Sequence, residues 1–284
     1  MDTSIQKGLL KMVHNPLDKG VTQTFVASNV LFDLLPFKQN EGAMTYTYTR
    51  VNEMLEGVVR ELGENVVGCA IEPETVHELL QIISNDVVLD RMYIDGHIGN
   101  VIDIKVENTQ NASIGLANMF CKQFYYGTGT KQMKGLKTRL DSSESGVKLS
   151  GLTLDNLGEA IDTISYSNVG TKVLVMNAKT KRQLDKLVKA DGFTLTNIDV
   201  AGKSLSSYDG VPIVVDANVQ DGEIFAMNLS DTDGITGITL KGITAQEQGY
   251  EGTGYRIGIE GAFGLAVKHP KSFVHIVPAG RSKK

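Results

Sequence analysis

Residues 42–51 read GAMTYTYTRV: a glycine, then two tyrosines and three threonines in strict alternation. Successive side chains of an extended chain point to opposite faces, so Met44, Tyr46 and Tyr48 share one face and Thr45, Thr47 and Thr49 the other. Both residue types suit a pleated surface. At about 3.4 Å per residue the stretch reaches roughly 30 Å, long for a strand that only fills a core. No nucleophile, acid–base pair or metal ligand adjoins it. The stretch needs a cover, and what supplies that cover decides what the chain is for.

The rest of the chain bounds the answer. Its 284 residues are ample for a large core. A hydrophobic fraction of 41% with 21% charged residues is ordinary for a soluble globular protein. Thirty glycines against six prolines indicate many turns and bulges without proline-rich linkers. The formal net charge of -5 argues against a dedicated nucleic-acid binder, and the basic tail GRSKK reads as a solvated terminus. Cys69 and Cys121 make no disulfide framework in a chain this long; they read as free, buried thiols in a reducing cytosol. The opening MDTSIQKGLLKMVHNP lacks the apolar core of a signal peptide, and no run approaches the roughly 18 apolar residues of a membrane span. A soluble, cytosolic chain is expected.

Patterning supplies the elements. TFVASNVLFDLLPFKQ, ending its apolar patch at Pro36, reads as a short helix or a docking arm, and ENVVGCAIEP as the return partner of the alternating strand. Val76, Leu79, Leu80 and Ile83 in TVHELLQIIS fall at helical spacing. VVLDRMYIDG reads as a strand closed by a turn at Asp95-Gly96. Residues 99–126 are the longest expected helix, with Ile104, Ala112, Leu116, Met119, Phe120 and Phe124 as a loose stripe and Gly127 as its stop. GLTLDNLGEAIDTI is a helix capped by Thr153, and KVLVMNAKTKRQLDKLVKA a buried strand followed by a helix capped by Asn177. YDGVPIVVDANV, GEIFAMNLS and GITGITLKGI read as strands, and the chain ends in two more, broken by glycine and by His269-Pro270. Helices and long strands mix without a regular strand–helix rhythm, which makes the class α+β.

Site chemistry is absent from this pattern. Gly202-Lys203-Ser204 ends like a phosphate loop, but Asn197 stands where the motif needs glycine, and strand follows instead of helix. GTGTKQ and GTGYRI place Gln132 and Ile257 at the third glycine of a dinucleotide fingerprint, so both read as turns. Glu74 and His77 form a single Glu-x-x-His on an expected helix, with no second copy to complete a di-iron site. The five histidines never fall in a zinc spacing, and no serine lies in a Gly-x-Ser-x-Gly elbow. In a well-patterned chain this silence favours a structural or binding role.

The order of the segments resembles the major capsid protein of tailed bacteriophages, the Hong Kong 97 type fold, from about Asn29 to the C-terminus. LFDLLPFKQNEGAMTYTYTRV looks like the family's passage from N-terminal arm to extended loop, and NDVVLDRMYIDG like the strand before the spine helix. NMFCKQFYYGTGTKQMKGLKTRL is similar to the end of that helix and its turn, with Tyr126-Gly127 and Gly135-Leu136 in place. The helices and strands from LTLDNLGEAIDTI to YDGVPIVVDANV look like the axial domain, and GYRIGIEGAFGLAVKHPKSFVHI like the closing strands.

The resemblance implies a division into an arm (1–40), an extended loop (41–72), a peripheral domain with the spine helix (73–140), an axial domain (141–245) and closing strands (246–284). It implies a non-enzymatic chain, without cofactor or metal, whose copies form hexamers and pentamers in an icosahedral head shell around double-stranded DNA. Scaffolding, portal and head-decoration proteins are the further partners it suggests. No membrane is implied; the location is the virion capsid, assembled in the host cytoplasm. The long scaffolding segment that some members carry at the N-terminus is not expected here. Because the family's extended loop lies across a neighbouring subunit, Met44, Tyr46, Tyr48 and Arg50, with Phe32 and Phe37 of the arm, are the expected interface residues. An encapsulin-type nanocompartment shell is the alternative, and an unrecognised soluble enzyme the second.

Overall fold

The computed structural model describes residues 16–50, 59–62, 74–96, 101–200 and 202–278. From its N-terminal side the chain runs through helices α1 (Pro16–Ala27) and α2 (Leu31–Leu34) and strands β1 (Phe37–Gln39) and β2 (Thr45–Arg50). It returns in β3 (Glu74–Leu79) and β4 (Gln81–Asp90), then enters α3 (Arg91–Gly96) and the 26-residue α4 (Val101–Tyr126). α5 (Leu136–Asp141) and β5 (Val147–Ser150) lead to α6 (Leu154–Ile164), β6 (Thr171–Met176) and α7 (Ala178–Ala190). The remainder is strand: β7 (Thr196–Val200), β8 (Lys203–Tyr208), β9 (Val211–Val215), β10 (Ile224–Leu229), β11 (Ile235–Glu251), β12 (Gly254–Val267) and β13 (Phe273–Val277).

These strands make two lobes of sheet joined at a neck. One lobe has the order β4-β12-β11, with β1 added in parallel to β11; the other runs β5-β13-β10-β6-β9-β8-β7. They meet where β10 and β11 pair in parallel at Leu229 and Ile235. β2 and β3 stand apart as a separate two-stranded antiparallel ribbon.

The core explains why the second lobe is hydrophobic on both faces. Along β6, Val173 and Val175 join the cluster beneath α1 and α4, while Leu174 and Met176 join the cluster beneath α6 and α7. Period-2 alternation within a continuous apolar run serves a strand covered on both sides. Both expected caps hold: Thr153 Oγ1 accepts from the Asn156 amide at 3.1 Å, and Asn177 Oδ1 from the Thr180 amide at 2.7 Å.

α4 buries Leu116, Phe120 and Phe124, and Met119 of the expected stripe is exposed. α1 lies along it: Ser113 Oγ donates to the Val21 carbonyl at 2.8 Å, and Asp18 accepts from the Ala245 amide at 2.6 Å. Phe25 stacks on Phe263 with centroids 5.7 Å apart. The described part of the expected arm therefore belongs to its own subunit's core, which needs these rings to cover β11 and β12.

Three further expectations are corrected. The segment around Val76–Ile83 is not a helix but the end of β3 and the start of β4. A short apolar run is ambiguous in period; here Ile83, Val87 and Leu89 alternate inward along β4. The strand expected over 87–96 ends at Asp90, and its last residues form α3. The boundary at 245/246 falls inside β11, a 17-residue strand paired to β12 along most of its length. ENVVGCAIEP and Cys69 lie outside the described residues; the observed partner of β2 is β3, registered from Thr45 opposite Leu79 to Arg50 opposite Glu74.

After α4 the backbone crosses itself. A Cβ on Gly127 would stand 1.9 Å from the Met133 carbonyl oxygen, and one on Gly135 would stand 2.5 Å from the Gly127 nitrogen. Only glycine permits this approach, and it delivers α5 beside the spine helix. Gly127→Ala is expected to cost about 3 kcal/mol or more, read by urea denaturation; a loss within experimental error would show that the crossing relaxes freely.

Candidate functional site

The inward face of the ribbon decides its geometry. Along β2, Tyr46 is half-buried, while Tyr48 and Arg50 are 6% and 3% exposed; the threonine row faces outward. Tyr48 packs with Leu80, Ile238 and Ala266 on the side of β11 and β12 opposite the main core. Tyr46 stacks on Tyr48 at 5.9 Å, and Lys38 Nζ lies 5.8 Å from the Tyr46 ring. On the outer side Thr47 Oγ1 meets His77 Nδ1 at 2.9 Å.

Beneath the tyrosine lies a buried charge network. Arg139 of α5, fully buried, donates from Nη1 and Nη2 to the two carboxylate oxygens of Glu78 at 2.5 and 2.8 Å. Two further donors go to the carbonyls of Leu265 at 2.9 Å and Lys134 at 3.2 Å. Tyr48 donates its hydroxyl proton to the Val267 carbonyl at 3.0 Å and accepts from the Val267 amide at 3.2 Å. Arg50 donates to the Glu144 carbonyl at 3.0 Å and to the Tyr48 hydroxyl at 3.4 Å, with Glu74 at 3.8 Å. Both strands of the ribbon are thereby tied to β12 and to the segment around α5.

The electrostatics follow from burial. Desolvation raises the Tyr48 pKa, and the Glu78 charge adds to it. Desolvation also opposes charge on Arg139, but the hydrogen bonds and charge of Glu78 outweigh it and hold the guanidinium above its ordinary value. A bidentate pair with further donors bonded to carbonyls is the arrangement that makes a buried ion pair tolerable.

A second buried cluster stands where α4 meets the other lobe. Glu223 accepts from Tyr126 Oη at 2.7 Å, with His275 Nε2 at 3.1 Å and Lys137 Nζ at 3.5 Å. Burial pushes the Glu223 carboxyl up, but His275, Tyr126 and Lys137 more than offset this and hold it at about 2. Nearby, Asp216 accepts from Asn29 Nδ2 at 2.7 Å and from Tyr125 Oη at 3.0 Å. Burial, then the Asp216 charge, raises the Cys121 thiol well above its ordinary value, so this buried cysteine is no thiolate nucleophile.

Of the six expected interface residues, Phe32, Tyr48 and Arg50 are buried within their own subunit. Phe37 packs against Phe32, Phe120 and Phe263. Phe32, Tyr48 and Arg50 thus fill cores of their own subunit, and the partly buried Phe37 packs against one. Met44 is 36% exposed and Tyr46 half-buried, and both lie at the end of the ribbon nearest β4. The residues that sequence reasoning missed are Glu78 and Arg139. No local signal marked them: Arg50, the cation that ends the inward row, meets Glu144, Tyr48 and Glu74 instead.

Other candidates resolve into structure. Lys203 pairs with Asp33 at 2.7 Å and opens a strand. Glu74 and His77 lie on a strand, three residues apart and hence on opposite faces. Among the described residues no group of three metal-ligating side chains converges, and no helix is long and apolar enough to cross a membrane.

A separate two-stranded ribbon, a long spine helix and a two-sided sheet lobe define the class of Hong Kong 97 type shell proteins. The capsid of a native GTA particle shares the fold with a TM-score of 0.67 at 13% identity, over 94% of this chain and 93% of that one. The structure from Mycobacterium phage Bobi gives 0.60 at 12% identity over 90% of each chain. The holo-SrpI encapsulin complex of Synechococcus elongatus gives 0.70 at 12% identity, over 87% and 86%. No curated protein matches the chain. Residues 101–277 match the phage capsid family, and the chain belongs to that family. It is a major capsid shell protein.

Arg139→Met is expected to cost about 3–5 kcal/mol by stranding Glu78, against about 1 kcal/mol for Tyr48→Phe, both read by urea denaturation. Equal losses would show that the ion pair does not anchor the root. For Glu223 the folded pKa lies below the ordinary 4.5. Its contribution is therefore present above about pH 4.5 and lost as pH falls towards about 2. Glu223→Gln should flatten the stability profile in that window; an unchanged acid slope would exclude the cluster as its source.

Proposed function

We propose that copies of this chain close into the icosahedral head shell of a tailed phage, as hexamers and pentamers, around double-stranded DNA. The observation that carries this reading is a ribbon clamped at its root by Glu78 and Arg139, yet standing apart from the main sheet. A two-stranded hairpin is marginal in water, and its edges invite pairing. A rigid root with an uncovered outer face suits a latch completed by the next copy. Met44 and Tyr46, at the partly exposed base of the inward row, are the proposed contacts, beside an open groove lined by Met44, Ile82, Leu240 and Ala262. Many such contacts, each weak, favour a closed shell while allowing correction during growth.

The division into arm, extended loop, peripheral and axial parts belongs to this proposal, as do scaffolding, portal and head-decoration partners and assembly in the host cytoplasm. A net acidic wall suits DNA that must slide instead of sticking. An encapsulin-type shell is the second reading, favoured by the encapsulin likeness. Particles holding protein cargo instead of DNA would establish it.

Because Arg50 lies opposite Glu74, residues 51–73 can be replaced by an Asn-Gly turn without disturbing Tyr48 or Arg139. Electron microscopy of this variant should show folded subunits and no closed shells. Particles indistinguishable from those of the full chain would rule out residues 51–73 as part of the latch.

A further inference from the structure

Two helices that play no part in the ribbon carry opposite charge. α6 buries Leu157, Ala160, Ile161 and Ile164, and leaves Asp155, Glu159 and Asp162 exposed at positions i, i+4 and i+7 of one stripe. α7 buries Thr180, Leu184 and Val188, and exposes Lys179, Arg182, Lys186 and Lys189 along its own solvent side.

Both helices cover the same face of the sheet, since their buried residues share a cluster with Leu174, Met176, Ile224 and Ala226. They sit towards opposite flanks. α6 lies over β5, β13 and β10, whereas α7 reaches β8, where Lys181 Nζ donates to Ser206 Oγ at 3.0 Å. In strand order β5 and β7 are the two edges of this lobe. Among the described residues, ion pairing on the two stripes is confined to Lys179 with Asp221.

A ring of identical subunits needs two different surfaces that fit each other, one on each flank. One acidic and one basic flank meet that requirement. A polyanion laid across this face would meet three carboxylates beside the four cations, which disfavours it as the occupant. We infer that in the assembled shell the acidic stripe of α6 on one copy lies against the basic stripe of α7 on the next. The inference rests on the shell reading above and names one surface that closes the ring. Each exposed pair is weak and is screened over about 10 Å at 0.1 M salt, so the stripes act through repetition and through register.

The test compares the full chain with three variants by electron microscopy and light scattering at about 0.1 M salt. The acid-reversed chain carries Glu159→Lys and Asp162→Lys; the base-reversed chain carries Arg182→Glu and Lys186→Glu; the third carries all four changes. Asp155 and Lys189 are kept because they face the helix dipole at its favourable ends. Each half-reversed chain should melt like the full chain, yet need roughly tenfold more protein to form particles. The four-fold variant should recover assembly, because complementarity is restored with the signs exchanged. An equal mixture of the two half-reversed chains should co-assemble into even-membered rings.

Half-reversed chains that assemble like the full chain overturn the inference, and so does a folded four-fold variant that fails to recover. A base-reversed chain that builds normal particles but loses packaged DNA also overturns it, by giving α7 to nucleic acid. Should the base-reversed chain fail to fold, Arg182→Gln with Lys186→Gln replaces it, and Glu159→Gln with Asp162→Asn replaces an acid-reversed chain that fails, each expected to weaken assembly. A full chain that forms no particles at all defeats the shell reading itself and takes this inference with it. That result is distinct from failure of the stripes.

Discussion

A two-stranded ribbon cannot hold its own direction in water, so whatever this one does depends on how its root is fixed. The Glu78–Arg139 pair fixes it. Glu78 sits on β3, opposite Tyr46 on β2, and Arg139 sits on α5, the first helix after the spine. A bidentate bond between them, with Tyr48 hydrogen-bonded to both backbone groups of Val267, joins three regions distant in sequence. Charges buried this way resist rotation, because any displacement leaves one of them unpaired in a medium of low dielectric.

α5 can reach Glu78 only because the chain turns back tightly after α4. The glycines at 127 and 135 allow that turn, and the aromatic cluster of Phe25, Phe120 and Phe263 holds α1, α4 and β12 as one body behind it. The sheet narrows to a single pair at Leu229 and Ile235. There the lobes are joined mostly by side chains: Tyr126 and Lys137 to Glu223, and Asn29 and Tyr125 to Asp216. Rigidity at the ribbon and at the neck thus has the same physical origin, buried polar groups hydrogen-bonded across elements.

Much of the fold was legible in the residues. The caps Thr153 and Asn177, the spine helix and the strands from β9 onward follow from local rules of capping, period and turns. The misreadings arose where local signals compete. Val76–Ile83 satisfies helical spacing over two turns, but cross-strand pairing with β2 won. Phe32 and Phe37 sit in a segment that reads as an arm; their burial came from contacts with Phe120 and Phe263, far along the chain.

By itself the amino-acid order determined that residues 44–50 form an amphipathic strand, that the chain is α+β, and that its segments follow the order of a shell protein. Only the tertiary structure decided that Tyr48 and Arg50 face inward to their own subunit, and that Glu78 and Arg139 meet. Alternation assigns a side chain to a face, yet it cannot name what lies across that face. The partner of a buried charge is chosen by how distant segments come together, and such proximity leaves no periodic trace in the sequence.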